Sequence, residues 1–81
     1  MYAIKVQGYN HTSIVTTPDD IFKCVLGLTG DCVTASRIQQ RAHEHTNYYD
    51  TFVERTKNHT KIQVACVPHT DTLSKLISLF E

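Results

Sequence analysis

Polar and apolar residues alternate from the start of the chain. Tyr2, Ile4 and Val6 fall on one side of an extended segment, with Ala3, Lys5 and Gln7 on the other, the period-two signature of a half-buried strand. Gly8-Tyr9-Asn10 reads as a turn, and the β-branched run from Thr12 to Thr16 as the returning strand, so a hairpin is expected. The period then changes. Ile21, Cys24, Val25 and Leu28 recur at i, i+3, i+4 and i+7, the stripe of an amphipathic helix. Thr17 can cap that helix, Pro18 suits its first position, and Asp20 sits where a capping-box acid reaches back. Asp19 and Asp20 complement the positive end of the helix dipole, and Gly30 is a natural stop.

The next stretch is ambiguous. In residues 31–46, Ala35, Ile38 and Ala42 would share a helical face, leaving Gln39, Gln40, Arg41, His43 and Glu44 outside. Cys32, Thr34, Ser36 and Ile38 also alternate as a strand would. The helical reading is preferred, as a polar, exposed second helix. Tyr49, Thr51 and Val53 then alternate with Asp50, Phe52 and Glu54, a third strand. Lys57-Asn58-His59 makes a turn. A fourth strand runs from Lys61 to Val67, with Ile62, Val64 and Cys66 on one side and Ala65 and Val67 on the other. Apolar residues on both faces mark a central strand. Pro68 ends it. Thr70 or Asp71 would cap a final helix, in which Leu73, Leu76, Ile77 and Phe80 repeat the helical stripe.

The order is ββα, a helical segment, then ββα. It predicts an α+β fold: a four-stranded, mostly antiparallel sheet with two amphipathic helices on one face. The opposite face is left to solvent, to the middle segment or to a second subunit. Residues 1–81 form one domain. Asn10-His11-Thr12-Ser13-Ile14 resembles Asn58-His59-Thr60-Lys61-Ile62, and the stretch from Asp19 to Val25 resembles that from Asp71 to Ile77. These matches define half-repeats 1–30 and 47–81 around the polar helical segment 31–46. Internal duplication is one explanation. Convergence is the other, because turns favour Asn and helix starts favour Asp.

Composition narrows the class. Eight Lys and Arg balance eight Asp and Glu for a formal net charge of zero. A dedicated nucleic-acid binder gains most of its affinity from excess positive charge, so overall charge does not favour that class. No run approaches the about 18–20 apolar residues of a membrane span, and the N-terminus alternates too much for a signal peptide. Cys24, Cys32 and Cys66 are odd in number and outside any C-x-x-C pattern. They read as reduced, mostly buried thiols in a cytoplasmic protein. In that setting the two glycosylation sequons at Asn10 and Asn58 are idle.

Catalytic signals are weak. No P-loop, G-x-G-x-x-G, G-x-S-x-G or H-E-x-x-H pattern occurs, and the three glycines are scattered. His43-Glu44-His45 is the clearest polar cluster, but an H-x-H pair shares a face only on a strand. On a helix the two rings diverge, so neither a metal nor another cofactor is expected. A Cys–His nucleophile is disfavoured because Cys24 and Cys66 lie on apolar faces, where thiols are inert. His11 and His59 stand in matching turns and would frame a site if a pseudo-twofold axis related them.

The surface that interrupts the ββα pattern is the best candidate for contact with a partner: Arg37, Gln40, Arg41 and His43 on the second helix, with Tyr48 and Tyr49 beyond it. Arg and Tyr are enriched at binding hot spots. The expectation is a small non-enzymatic binding protein, probing a larger macromolecule as regulator or inhibitor. A protein partner and a homodimer are favoured. The abundance of such short chains in phage and mobile-element genomes suggests an anti-host or anti-defence role. The alternative is a small-molecule domain, for a nucleotide for example, with its site at a subunit or repeat interface.

Overall fold

The computed structural model describes residues 1–68 and Phe80. Its elements are β1 (Tyr2–Val6), β2 (Ser13–Val15), α1 (Pro18–Thr29), α2 (Cys32–Glu44), β3 (Thr51–Arg55) and β4 (Lys61–Cys66). The strands form one antiparallel sheet in the order β2-β1-β4-β3. The α+β architecture is therefore the expected one, and the central place expected of β4 is the observed one.

Register explains the two faces. β1 pairs with β4 from Tyr2↔Cys66 to Val6↔Ile62, with Ile4 opposite Val64. This lines Tyr2, Ile4, Val6, Ile62, Val64 and Cys66 along one side, where they pack with Phe52, Ile21, Val25, Ala35, Ile38 and Ala42 in a single core. Both α1 and α2 thus cover the same face. On the other side Ala3, Ala65 and Val67 form a smaller cluster with Met1, Ile14 and Phe80.

Local chemistry builds the helix pair. Thr17 Oγ1 accepts the Asp20 N–H at 3.3 Å, and Pro18 occupies the first turn, as the sequence predicts. Gly30 ends α1 at φ 72° and donates its N–H to the Leu26 carbonyl at 2.8 Å. A side chain here would be strained in the left-handed region. Asp31 caps α2 immediately afterwards, so the helices form a tight hairpin. Its open end is tied by Gln39 Nε2 donating to Asp19 Oδ1 at 2.6 Å.

The strand alternative for residues 32–38 is overturned. Ala35, Ile38 and Ala42 are fully buried at helical spacing, where a period-two pattern would have put Ala35 on the face opposite Ile38. The partner of α1 on the sheet is therefore α2, more buried on its inner side than a polar, exposed helix. The final helix expected from Thr70 or Asp71 lies outside the described residues except for Phe80. That residue packs on the face opposite α1 and α2, and its carbonyl accepts from Gln63 Nε2 at 3.3 Å.

The two hairpins lie side by side and point the same way, with both turns at one end of the sheet. β1 and β2 map onto β3 and β4 by a shift across the sheet, not by a twofold axis. His11 and His59 accordingly share an end of the molecule without facing each other across an axis.

Truncating Ile38 to Ala should cost about 2–5 kcal/mol, as expected for a buried aliphatic whose site collapses incompletely. Denaturant unfolding measures this, and a cost below about 1 kcal/mol would remove α2 from the core.

Candidate functional site at the outer face of α2

The outward positions of α2 begin beside its cap. Asp31 Oδ1 accepts the Thr34 N–H at 3.1 Å, and Oδ2 accepts the Thr34 hydroxyl at 2.9 Å. Oδ2 also accepts the Lys57 N–H at 3.3 Å, which ties the start of α2 to the β3–β4 turn. These donors, the backbone and side chain of Thr34 first and the Lys57 amide next, hold the Asp31 carboxyl below the usual carboxylate range. Thr56 braces the same turn from inside, its hydroxyl accepting the N–H groups of Asn58 and Thr60 at 3.2 and 3.1 Å.

Two depressions adjoin on this surface. A cleft of 420 Å³ between the start of α2 and the β3–β4 hairpin is lined by residues including Asp31, Cys32, Val33, Arg37 and Lys57. A shallower one of 460 Å³ lies along the helix over Cys32, Val33, Ser36, Arg37 and Gln40. Cys32, Val33 and Arg37 border both. Val33 is 63% exposed, an aliphatic side chain surrounded by polar neighbours.

The expected contact residues divide. Arg37 and Gln40 come together on this surface. The Arg37 side chain is 53% exposed, and its Nη1 lies 3.7 Å from Glu54 Oε2. Arg41 turns away toward the edge of the sheet. Its Nη1 donates to Glu54 Oε1 at 2.7 Å and to the Val53 carbonyl at 3.0 Å, and its guanidinium lies over the Phe52 ring at 4.6 Å. Arg41 is thus engaged in holding α2 to β3, with its side chain 36% exposed.

His43 is exposed further along the helix. Its H-x-H companion His45 sits past the helix end, 4.8 Å from Phe52 between ring centroids. Among the described residues no group of three His, Cys, Asp or Glu side chains is placed to hold a metal. Tyr48 is 62% exposed in the loop beyond. Tyr49 adopts φ 70° and donates its N–H to the Cys66 carbonyl at 2.6 Å, which starts the β3–β4 pairing. A left-handed conformation is uncommon for so bulky a residue.

Sequence reasoning missed Val33 and Cys32. Cys32 is exposed, contrary to the mostly buried thiols expected, because it opens α2 on the outward side. The signal was available: Val33 is offset from the Ala35, Ile38 and Ala42 stripe. Cys66 is buried as expected. Burial first, with Asp50 adding to it and the N-terminal amine opposing, pushes its thiol up. Burial, and then Cys66 beside it, raises the Tyr2 hydroxyl likewise.

Asp31→Ala should lower the thermal midpoint at neutral pH. A carboxyl with a depressed folded-state pKa stabilises above its unfolded value of about 3.9 and loses that contribution as pH falls through the folded value. The deficit of the variant should therefore shrink in acid. Melting curves at neutral and strongly acidic pH check this, and a deficit independent of pH would remove the charged acceptor as its cause.

Comparison with protein-family models, with curated proteins and with solved structures gives no match, so function is read from this geometry.

Proposed function

We propose that the chain is a non-enzymatic binding protein that regulates or inhibits a larger macromolecule, and that it meets a protein partner through the outer face of α2. The exposed Val33 at the junction of two depressions carries this reading. A β-branched residue weakens an exposed helix slightly and adds nothing to the core. At the centre of an interface it supplies the apolar contact that a polar rim of Ser36, Arg37 and Gln40 would seal from water. Arg37, half exposed and held loosely by Glu54, is free enough to exchange that ion pair for one with a partner.

A photo-crosslinking residue at position 33, compared with one at exposed Lys23 on α1, tests this in expressing cells. The expected result is one discrete adduct at position 33, lost on Arg37→Glu. No adduct, or the same adducts from both positions, would sink the reading.

One observation favours the small-molecule alternative. A polar hollow of 320 Å³ lies where both hairpin turns meet the α1–α2 link, lined by residues including Gln7, Tyr9, Thr29, Lys57, Asn58 and Thr60. A ligand bound there would raise the thermal midpoint, by mass action on the native state. A nucleotide panel that leaves the midpoint unchanged would exclude nucleotides from this hollow.

A further inference from the structure

Among the described residues, the charged side chains on the sheet face away from the helices are all positive. The register places Lys5 opposite Gln63 and Arg55 opposite Lys61, all on the side of Ala3 and Ala65. The described acids are elsewhere. Asp19, Asp20, Asp31 and Glu44 belong to the helices and their caps. Glu54 takes Arg41 and Arg37 beside α2, and Asp50 lies near Cys66. Among the described residues, no carboxylate pairs with Lys5, Arg55 or Lys61. Lys5 Nζ donates to the Tyr9 carbonyl, and Arg55 Nη1 to the His59 carbonyl at 3.5 Å. Those contacts orient the side chains without neutralising them.

Arg55 opposite Lys61 is a cross-strand like-charge pair, an arrangement that destabilises a sheet. A broken local rule without a compensating acid points to a functional surface. We infer that this face binds the phosphate backbone of duplex DNA. The three cations stand on adjacent strands β1, β4 and β3 and so span about 10 Å, the rise of about three phosphate steps along one strand of a duplex. Gln7 and Gln63 stand beside them as neutral groups, Gln7 Oε1 accepting the Lys61 N–H at 3.1 Å and Gln63 Nε2 donating to the Phe80 carbonyl at 3.3 Å. The described aromatic residue on this face, Phe80, is packed into the cluster of Ala3, Ala65 and Val67, so among the described residues the bases have no free stacking platform beside the cations, and backbone contact to a duplex is favoured over a single strand. A net charge of zero hides the patch, since the acids among the described residues stand on the helices, at their caps or beside α2 and Cys66.

Fluorescence anisotropy with a fluorescein-labelled 20-base-pair duplex, titrated at several salt concentrations, tests this. Three phosphate contacts predict a log–log salt slope of about −2.7 and about a 40-fold loss of affinity between 50 and 200 mM salt. Lys61→Glu should weaken binding about tenfold or more, while the charge-matched Lys23→Glu on α1 leaves it nearly unchanged. Arg55→Gln should also weaken binding while keeping the thermal midpoint at or above that of the parent, because it relieves the repulsion with Lys61. Absence of duplex binding at 50 mM salt would overturn the inference. So would equal loss in Lys23→Glu, tighter binding of a single strand, or competition by poly-glutamate as effective as that by unlabelled duplex.

Discussion

The antiparallel pairing of β1 with β4 is the constraint on which the rest of the structure depends. It joins residues about as far apart in sequence as this fold allows, with Tyr2 opposite Cys66 and Val6 opposite Ile62. Closing so long a loop has an entropic cost that grows only slowly with length. Five residue pairs, with Ile4, Val6, Ile62 and Val64 fully buried beneath the helices, offset it. A one-residue slip would turn every one of those side chains to the opposite face. Once this pair is set, β2 and β3 are its flanks, and the face left for α1 and α2 is decided.

The helices are fixed to that face by polar contacts as well as by area. The Tyr2 hydroxyl donates to the Ala42 carbonyl at 3.3 Å, Asp31 joins the start of α2 to the β3–β4 turn, and Arg41 joins its last turns to β3 through Glu54, the Val53 carbonyl and the Phe52 ring. Val53 faces the free edge of the sheet, so the Arg41 contact also covers part of an otherwise open strand edge, a position where pairing with another chain is a hazard. One residue thus serves helix docking and edge protection together. Its neighbour Arg37, one turn earlier, is left to the surface.

The two surfaces assigned roles lie on opposite sides of a thin molecule. One is a helix face with an apolar centre, and the other a sheet face whose cations pair with no carboxylate among the described residues. They share β3, whose Glu54 points toward the α2 arginines while Arg55 points away from them. Alternation along a single strand therefore separates the two chemistries along most of its length, and they meet at its end, where Arg55 also borders the cleft at the start of α2.

Much of the architecture was legible in the sequence. Period-two and helical patterns located the strands and α1, and the Thr17-Pro18 start and Gly30 stop gave its ends, because capping and backbone strain are local effects. The two-sided apolar pattern of Lys61–Val67 marked β4 as central for the same reason. The helicity of residues 31–46 was harder to read, because Cys32, Thr34, Ser36 and Ile38 also suit a strand and only packing of Ala35, Ile38 and Ala42 against the sheet separates the two. The site was half legible. Arg37 and Gln40 stand out as polar positions on a helix, but whether an arginine meets solvent or a carboxylate depends on Glu54, which is distant in sequence. Nor can charge totals locate charge: zero net charge follows from composition, whereas placing Lys5, Arg55 and Lys61 on one face requires the register between strands. The sequence by itself determined the elements, through periodicity and caps that act within a few residues. Tertiary structure alone decided their faces and neighbours, because pairing and burial join residues that the chain keeps far apart.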